Sequence, residues 1–258
     1  MKVVIFCGGL GTRLREETEF RPKPMVNIGD RPILWHIMKL YACQGFDDFI
    51  LALGYKGDMI KNYFIHYEFM NNDITIELGK ADGWTLHNCH QEAGWRITLV
   101  HTGENALKGA RLKCVEPYID GCTFMVTYGD GLANIDLKAL LSFHEGHGKL
   151  ATVTGINPAS RFGELKTAGE RVTSFREKPK NHNGIVSGGF FVFKRGVLDY
   201  LSQDDACDLE VGALEKIARA GQLMVYRHSG FWASMDTQRD MEYLNELWTN
   251  GKAEWKRW

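Results

Sequence analysis

No stretch of this sequence stays apolar for the ~20 residues that a membrane span requires, so no transmembrane segment is expected. Charge of one sign is not in excess either. Thirty-one basic and 32 acidic residues leave a net charge of −1. A near-neutral chain has no long-range field to gather nucleic acid or an anionic membrane, and neither partner is expected. No Ser- or Pro-rich linker and no internal repeat divides the 258 residues. The six cysteines are scattered and form no C-x-x-C pair, which points to free thiols in a reducing compartment. The first residues already read as a strand, so no leader peptide is expected, and the cytoplasm is the expected location.

What remains is an ordinary globular balance, 44% hydrophobic and 24% charged, enough for one large α/β domain. Short apolar runs alternate with helical patterns. Residues 2–6, 49–53, 97–100 and 124–127 read as buried strands. Residues 33–41, 59–67 and 106–115 carry apolar side chains at helical spacing, with Met59, Ile60, Tyr63, Phe64 and Tyr67 on one face. This alternation predicts a mostly parallel, Rossmann-like sheet covered on both faces. The second half is more mixed, with short strand candidates at 150–156, 164–166, 172–175 and 190–193, and helices at 137–147, 209–220 and 238–248. Residues 79–94 are polar and Gly-punctuated, a long connection or an irregular hairpin. Three tryptophans near the end, Trp248, Trp255 and Trp258, need a surface, either their own domain or a neighbouring subunit.

The densest chemistry lies in the first 25 residues. The first strand empties into Gly8-Gly9-Leu10-Gly11-Thr12-Arg13, and Arg21-Pro22-Lys23-Pro24-Met25 follows. Glycines let backbone N–H groups approach an anion, and Arg13 and Lys23 can neutralise it. The spacing is neither the dinucleotide fingerprint nor the P-loop. Tyr128-Gly129-Asp130-Gly131 follows a strand, so Asp130 is either a Mg²⁺ ligand at a strand end or one half of a tight Asp-Gly turn. Asp236, before a helix, is either a second metal carboxylate or a helix cap. Glu177 and Lys178 would grip sugar hydroxyls and a phosphate, or form a solvated pair before Pro179. Ser187-Gly188-Gly189 begins a strand whose glycines admit a close ligand. His87, Cys89 and His90 fit no zinc spacing well. Cys7 reads as a small packing residue rather than a nucleophile.

Taken together, Gly8-Gly9-Leu10-Gly11-Thr12-Arg13-Leu14, Pro22-Lys23-Pro24-Met25, Thr127-Tyr128-Gly129-Asp130-Gly131, Glu177-Lys178-Pro179-Lys180 and Met235-Asp236-Thr237 resemble the sugar-1-phosphate nucleotidyltransferase family, and its cytidylyl branch in particular. The resemblance implies one nucleotidyltransferase domain with a smaller β-rich part, nucleotide bound roughly by 1–135 and sugar by 136–258. It implies a nucleotide cradle from Phe6, Cys7, Gly8, Gly9, Leu10 and Gly11. Thr12 and Arg13 would lie on the triphosphate and Lys23 near the α-phosphate, with Arg111 and Gly129 also at the nucleotide. Asp130 and Asp236 would hold Mg²⁺, and Glu177, Lys178, Ser187 and Gly188 would take the sugar phosphate. The implied substrates are CTP and a sugar 1-phosphate, glucose 1-phosphate by default, and the implied assembly is a homo-oligomer. Other sugars or NTPs, a metal-dependent glycosyltransferase, and a non-catalytic nucleotide sensor are the alternatives.

Overall fold

The computed structural model describes residues 1–88, 90–157, 164–176 and 184–258. Strand β1 (Lys2–Cys7) is buried along its whole length. Val3, Ile5 and Cys7 face one core while Val4 and Phe6 face the other. A strand covered on both faces has no use for polar alternation, which is why its run is continuous. After the glycine loop come α1 (Arg15–Thr18), the ribbon of β2 (Asn27–Ile28) and β3 (Arg31–Pro32), α2 (Ile33–Ala42) and β4 (Asp48–Leu53). Helices α3 (Gly57–Ile65) and α4 (Tyr67–Asn71), the hairpin of β5 (Ile74–Ile76) and β6 (Trp84–Leu86), then β7 (Arg96–His101), α5 (Lys108–Cys114) and β8 (Thr123–Tyr128) follow. Next are β9 (Gly131–Ala133), α6 (Leu137–His147), β10 (Ala151–Ile156) and the hairpin of β11 (Glu164–Ala168) and β12 (Arg171–Arg176). The chain ends through β13 (Val186–Ser187), β14 (Phe191–Lys194), α7 (Glu215–Arg219), β15 (Leu223–His228), β16 (Trp232–Ser234) and α8 (Gln238–Thr249).

Among the described residues, eight strands form the central sheet in the order β13–β10–β14–β8–β1–β4–β7, with β15 also paired to β10. β8, β1, β4 and β7 run parallel, and β14 is antiparallel to both β8 and β10. Side chains of α2, α6 and α8 pack on one face, and those of α5, α7 and the turns at 195–214 on the other. The chain steps outward from β1 to β4 and β7, then returns past β1 to β8. The crevice at the carboxyl ends of β1 and β8 is therefore the topological switch point, where such sheets bind ligands. The two strands end level, Phe6 opposite Tyr128.

Several elements depart from the sequence reading. Of the apolar face expected over 59–67, Ile60 and Tyr67 are buried, but Met59 is exposed, and the helix breaks at His66. Residues 79–94, read as a long connection or an irregular hairpin, do include the β6 arm of a hairpin. The helix expected from 209 is interrupted, because Val211 (ψ 113°) and Gly212 (φ 102°) leave helical geometry, and α7 follows only from Glu215. β15 was not expected, because its residues alternate only between exposed and half-buried and carry little hydrophobic contrast. The tail tryptophans pack on their own domain. Trp255 is fully buried, its Nε1 donates to His36 Nδ1 at 3.4 Å, and His36 stands edge-on to Trp248 at 4.6 Å. Gly29 (φ 64°) cannot carry a side chain there, since a Cβ would lie 2.3 Å from Trp248 Nε1.

Candidate active site

The carboxyl ends of β1 and β8 open into a cleft of about 550 Å³, the size expected of a ligand site. One wall is the glycine loop. Gly11 takes φ 65°, and the following Thr12–Leu14 closes a 3₁₀ turn that presents Arg13, largely exposed. Gly8 is required for a different reason. A Cβ there would lie 2.3 Å from the Arg111 guanidinium. That guanidinium is buried and donates to the carbonyls of Gly8, Leu53, Gly103 and Glu104 and to Thr102 Oγ1, at 2.7–3.2 Å. Burial pulls its pKa down, and the charge of nearby Asp205 offsets this only in part. Arg111 thus ties together the ends of β1, β4 and β7, and still lines the cleft.

The floor is a three-residue charge centre. Lys23 opens a second 3₁₀ turn fixed by Pro22 and Pro24. Its Nζ donates to Asp130 Oδ2 at 2.6 Å and to Asp236 Oδ1 at 2.7 Å. Arg13 adds a weaker contact to Asp236 at 3.5 Å. Burial alone would lower the Lys23 pKa, but the two carboxylates outweigh it and hold the ammonium above its ordinary value. Burial would likewise raise Asp236, yet Lys23 keeps it below the ordinary carboxylate range. The antiparallel pairing of β9 with β16, and the bond from Met235 N–H to the Asp130 carbonyl at 2.9 Å, set the two acidic residues on adjacent chain segments.

Asp236 is not the cap of α8. Thr237 caps it, in a reciprocal box with Asp240. This leaves the Asp236 carboxylate to face the cleft, with Ser234 Oγ donating to its other oxygen at 3.0 Å. Asp130 is likewise more than a turn residue, since its side chain engages Lys23. Ser187 and Gly188 line the opposite wall, where Trp232 Nε1 donates to the Gly188 carbonyl at 2.8 Å. Phe6, Cys7, Gly9, Thr12 and Gly129 also line the cleft, while Leu10 projects into solvent. Burial pushes the Cys7 thiol far up, so it is no nucleophile at neutral pH. Glu177 and Lys178, like Cys89, lie outside the described residues. His87 contacts Thr75, and His90 contacts Glu68.

The sequence reading missed Lys108 and Glu210, and assigned no role to the Tyr128 side chain. Lys108 and Tyr128 line the cleft, and Glu210 receives hydrogen bonds from both. Tyr128 was visible inside its Tyr-Gly-Asp-Gly stretch. Lys108 and Glu210 sit in no motif.

A glycine loop and a lysine bridging two carboxylates at the switch point of an α/β sheet define a phosphate-handling enzyme class. The family model for nucleotidyl transferases matches residues 2–237, and the chain belongs to that family. Over the full length of both chains it is 48% identical to glucose-1-phosphate cytidylyltransferase of Salmonella typhimurium. It is 45% identical, again over the full length of both, to a probable glucose-1-phosphate cytidylyltransferase of Bacillus subtilis. Among solved structures, HddC from Yersinia pseudotuberculosis superposes with a TM-score of 0.69 at 24% identity, covering 96% of this chain and 99% of that one, a likeness of fold.

Proposed function

We propose that this chain transfers the cytidylyl group of CTP to glucose 1-phosphate, giving CDP-glucose and pyrophosphate. The observation that carries the reading is the convergence of Lys23, Asp130 and Asp236 on the cleft floor. The substrates follow from the relatives' names. A phosphate oxygen of the sugar phosphate attacks the α-phosphorus in line, and the bond to the bridging oxygen of pyrophosphate breaks. The nucleophile is already an anion, so no general base is required. The barrier is the repulsion of two polyanions, and cationic side chains that meet the developing charge lower it.

In this reading the backbone of the glycine loop and Thr12 cradle the nucleotide, Arg13 meets the triphosphate and Lys23 the α-phosphate. Arg111 acts chiefly by holding the loop in place. Ser187 and Gly188, with Glu177 and Lys178, take the sugar phosphate. Two carboxylates aimed at one point are hard oxygen donors of the kind Mg²⁺ accepts, with substrate phosphates and water completing its shell. Asp130 and Asp236 would hold it, and the bound ion supplies Lewis-acid charge to the phosphate oxygens. Residues 1–135 serve mainly the nucleotide and 136–258 the sugar.

We further read the protein as a cytoplasmic homo-oligomer. No helix among the described residues is long and apolar enough to cross a membrane. Ile76 and Leu78 stand exposed on the β5–β6 hairpin, an apolar surface that favours self-association. The test is a pyrophosphate-release assay crossing the four NTPs with a panel of sugar 1-phosphates. CTP with glucose 1-phosphate should be the best pair. Release from no pair, together with glycosyl transfer from a nucleotide sugar, would overturn the reaction class.

A further inference from the structure

Beyond the charge centre, the cleft has a second polar cluster that the proposed chemistry does not use. Tyr128 ends β8, two residues before Asp130. Its hydroxyl donates to Glu210 Oε1 at 2.5 Å, and Lys108 Nζ donates to the same oxygen at 2.6 Å. The ammonium also stands 5.1 Å from the centroid of the Tyr128 ring. One carboxylate oxygen thus fixes a wall residue from the sheet and another from the first turn of α5.

Glu210 is itself held firmly. Asp208 Oδ1 accepts from the N–H of Glu210 at 2.8 Å and of Val211 at 3.4 Å. The segment carrying them is strapped to the start of α5, because Leu107 N–H donates to Asp205 O at 2.8 Å and Ala110 N–H to Cys207 O at 3.0 Å. The fit is close enough to require Gly109, where a Cβ would meet the Asp208 backbone at 2.8 Å. On the other side the Tyr128 ring packs edge-on against Phe191 at 5.7 Å and lies against Gly189, where a Cβ would approach its Cδ2 to 2.9 Å. Tyr128 therefore stands between the Lys108 side of the cleft and the 187–189 turn. A shift of its ring moves the wall between the two substrate halves.

We propose that Glu210 is a positioning residue for the transfer reaction, locking Tyr128 and Lys108 so that the two phosphate substrates meet in line. This inference rests on the cytidylyl-transfer reading for its kinetic readout. Binding contacts to the polyphosphate remain with Lys23, Arg13 and the glycine loop, so the loss on removing Glu210 falls in kcat and not in KM. Misplacement of reacting groups by about 1 Å is worth on the order of 10²-fold in rate.

The experiment compares E210Q, E210A, Y128F and the double variant E210A/Y128F, each with its melting temperature. E210Q keeps an acceptor for the tyrosine and loses only the charge facing Lys108. It should fall between wild type and E210A. E210A should lose about 10–100-fold in kcat, with KM for both substrates within threefold. Adding Y128F to E210A should cost nothing further, because the two act as a unit. Unchanged kcat in a folded E210A, additive losses in the double variant, or a loss confined to KM would each overturn the proposal. Should E210A not fold, E210Q and the E210Q/Y128F pair decide on the same criteria. Should the wild type itself release no pyrophosphate, the reaction reading has failed. The melting temperatures then decide the lock: non-additive losses from E210A and Y128F support it, and additive losses overturn it.

Discussion

Asp130→Asn separates chemistry from stability. The substitution keeps the side-chain shape and removes its charge. The bond from Met235 N–H is to the backbone carbonyl of residue 130, so the β9–β16 frame survives. Lys23 retains Asp236 at 2.7 Å. The Asp130 side chain is 28% exposed, which discounts the lost ion pair toward the surface value of about 1 kcal/mol. For a chain of this length that is a fall of roughly 2–4 °C in melting temperature. The transition state loses far more. An anionic ligand of the charge-balancing centre is gone, and by analogy with deletion of one oxyanion donor kcat should drop by at least ~10²–10³, or about 3–4 kcal/mol of barrier. The assay is pyrophosphate release from CTP and glucose 1-phosphate, with a far-UV melt on the same preparation. Turnover within tenfold of wild type in a folded variant would refute the assignment of Asp130.

Chelation of divalent cations with EDTA should abolish pyrophosphate release, and excess Mg²⁺ should restore it. Arg111→Met should lower stability by about 3 kcal/mol, since several buried carbonyls lose their donor, and should raise KM for CTP through the loosened glycine loop; an unchanged melt and KM would contradict the tying role. His36 is held neutral by burial, its pKa lowered to about 4. The unfolded chain binds a proton near pH 6.5 and the folded one does not, so stability is present above pH 6.5 and is lost as pH falls toward 4, by up to about 3 kcal/mol. Urea midpoints at pH 7 and pH 5 should differ accordingly in wild type. His36→Phe should reduce the dependence and leave the share of His144, whose pKa burial also lowers to about 4.

The alternating pattern of the first half was readable because strands buried on both faces need unbroken apolar runs, and helices between them show a 3.6-residue period. Residues 2–6 and 49–53 lie within strands of nearly those limits for that reason. β15 escaped because partial burial weakens its alternation, and the kink at Val211 and Gly212 escaped because a single glycine inside a helical pattern does not by itself mark a break. At the site, Lys23, Asp130 and Asp236 could be singled out one by one, but spacing left Asp236 open between ligand and cap. Only the capping box of Thr237 with Asp240 shows that the carboxylate is free for another role. Glu210 was invisible because its partners are 82 and 102 positions away in the chain.

The same separation has a consequence for how the protein is made. Lys23 and Asp236 are 213 positions apart. During synthesis at roughly 5–20 residues per second, the amino-terminal half leaves the ribosome well before its acidic counterpart exists. Until then Lys23 has no Asp236 beside it, and α2 has no tryptophan tail to cover it. A truncation before Trp255 takes a fully buried side chain off α2 and should lower the melting temperature.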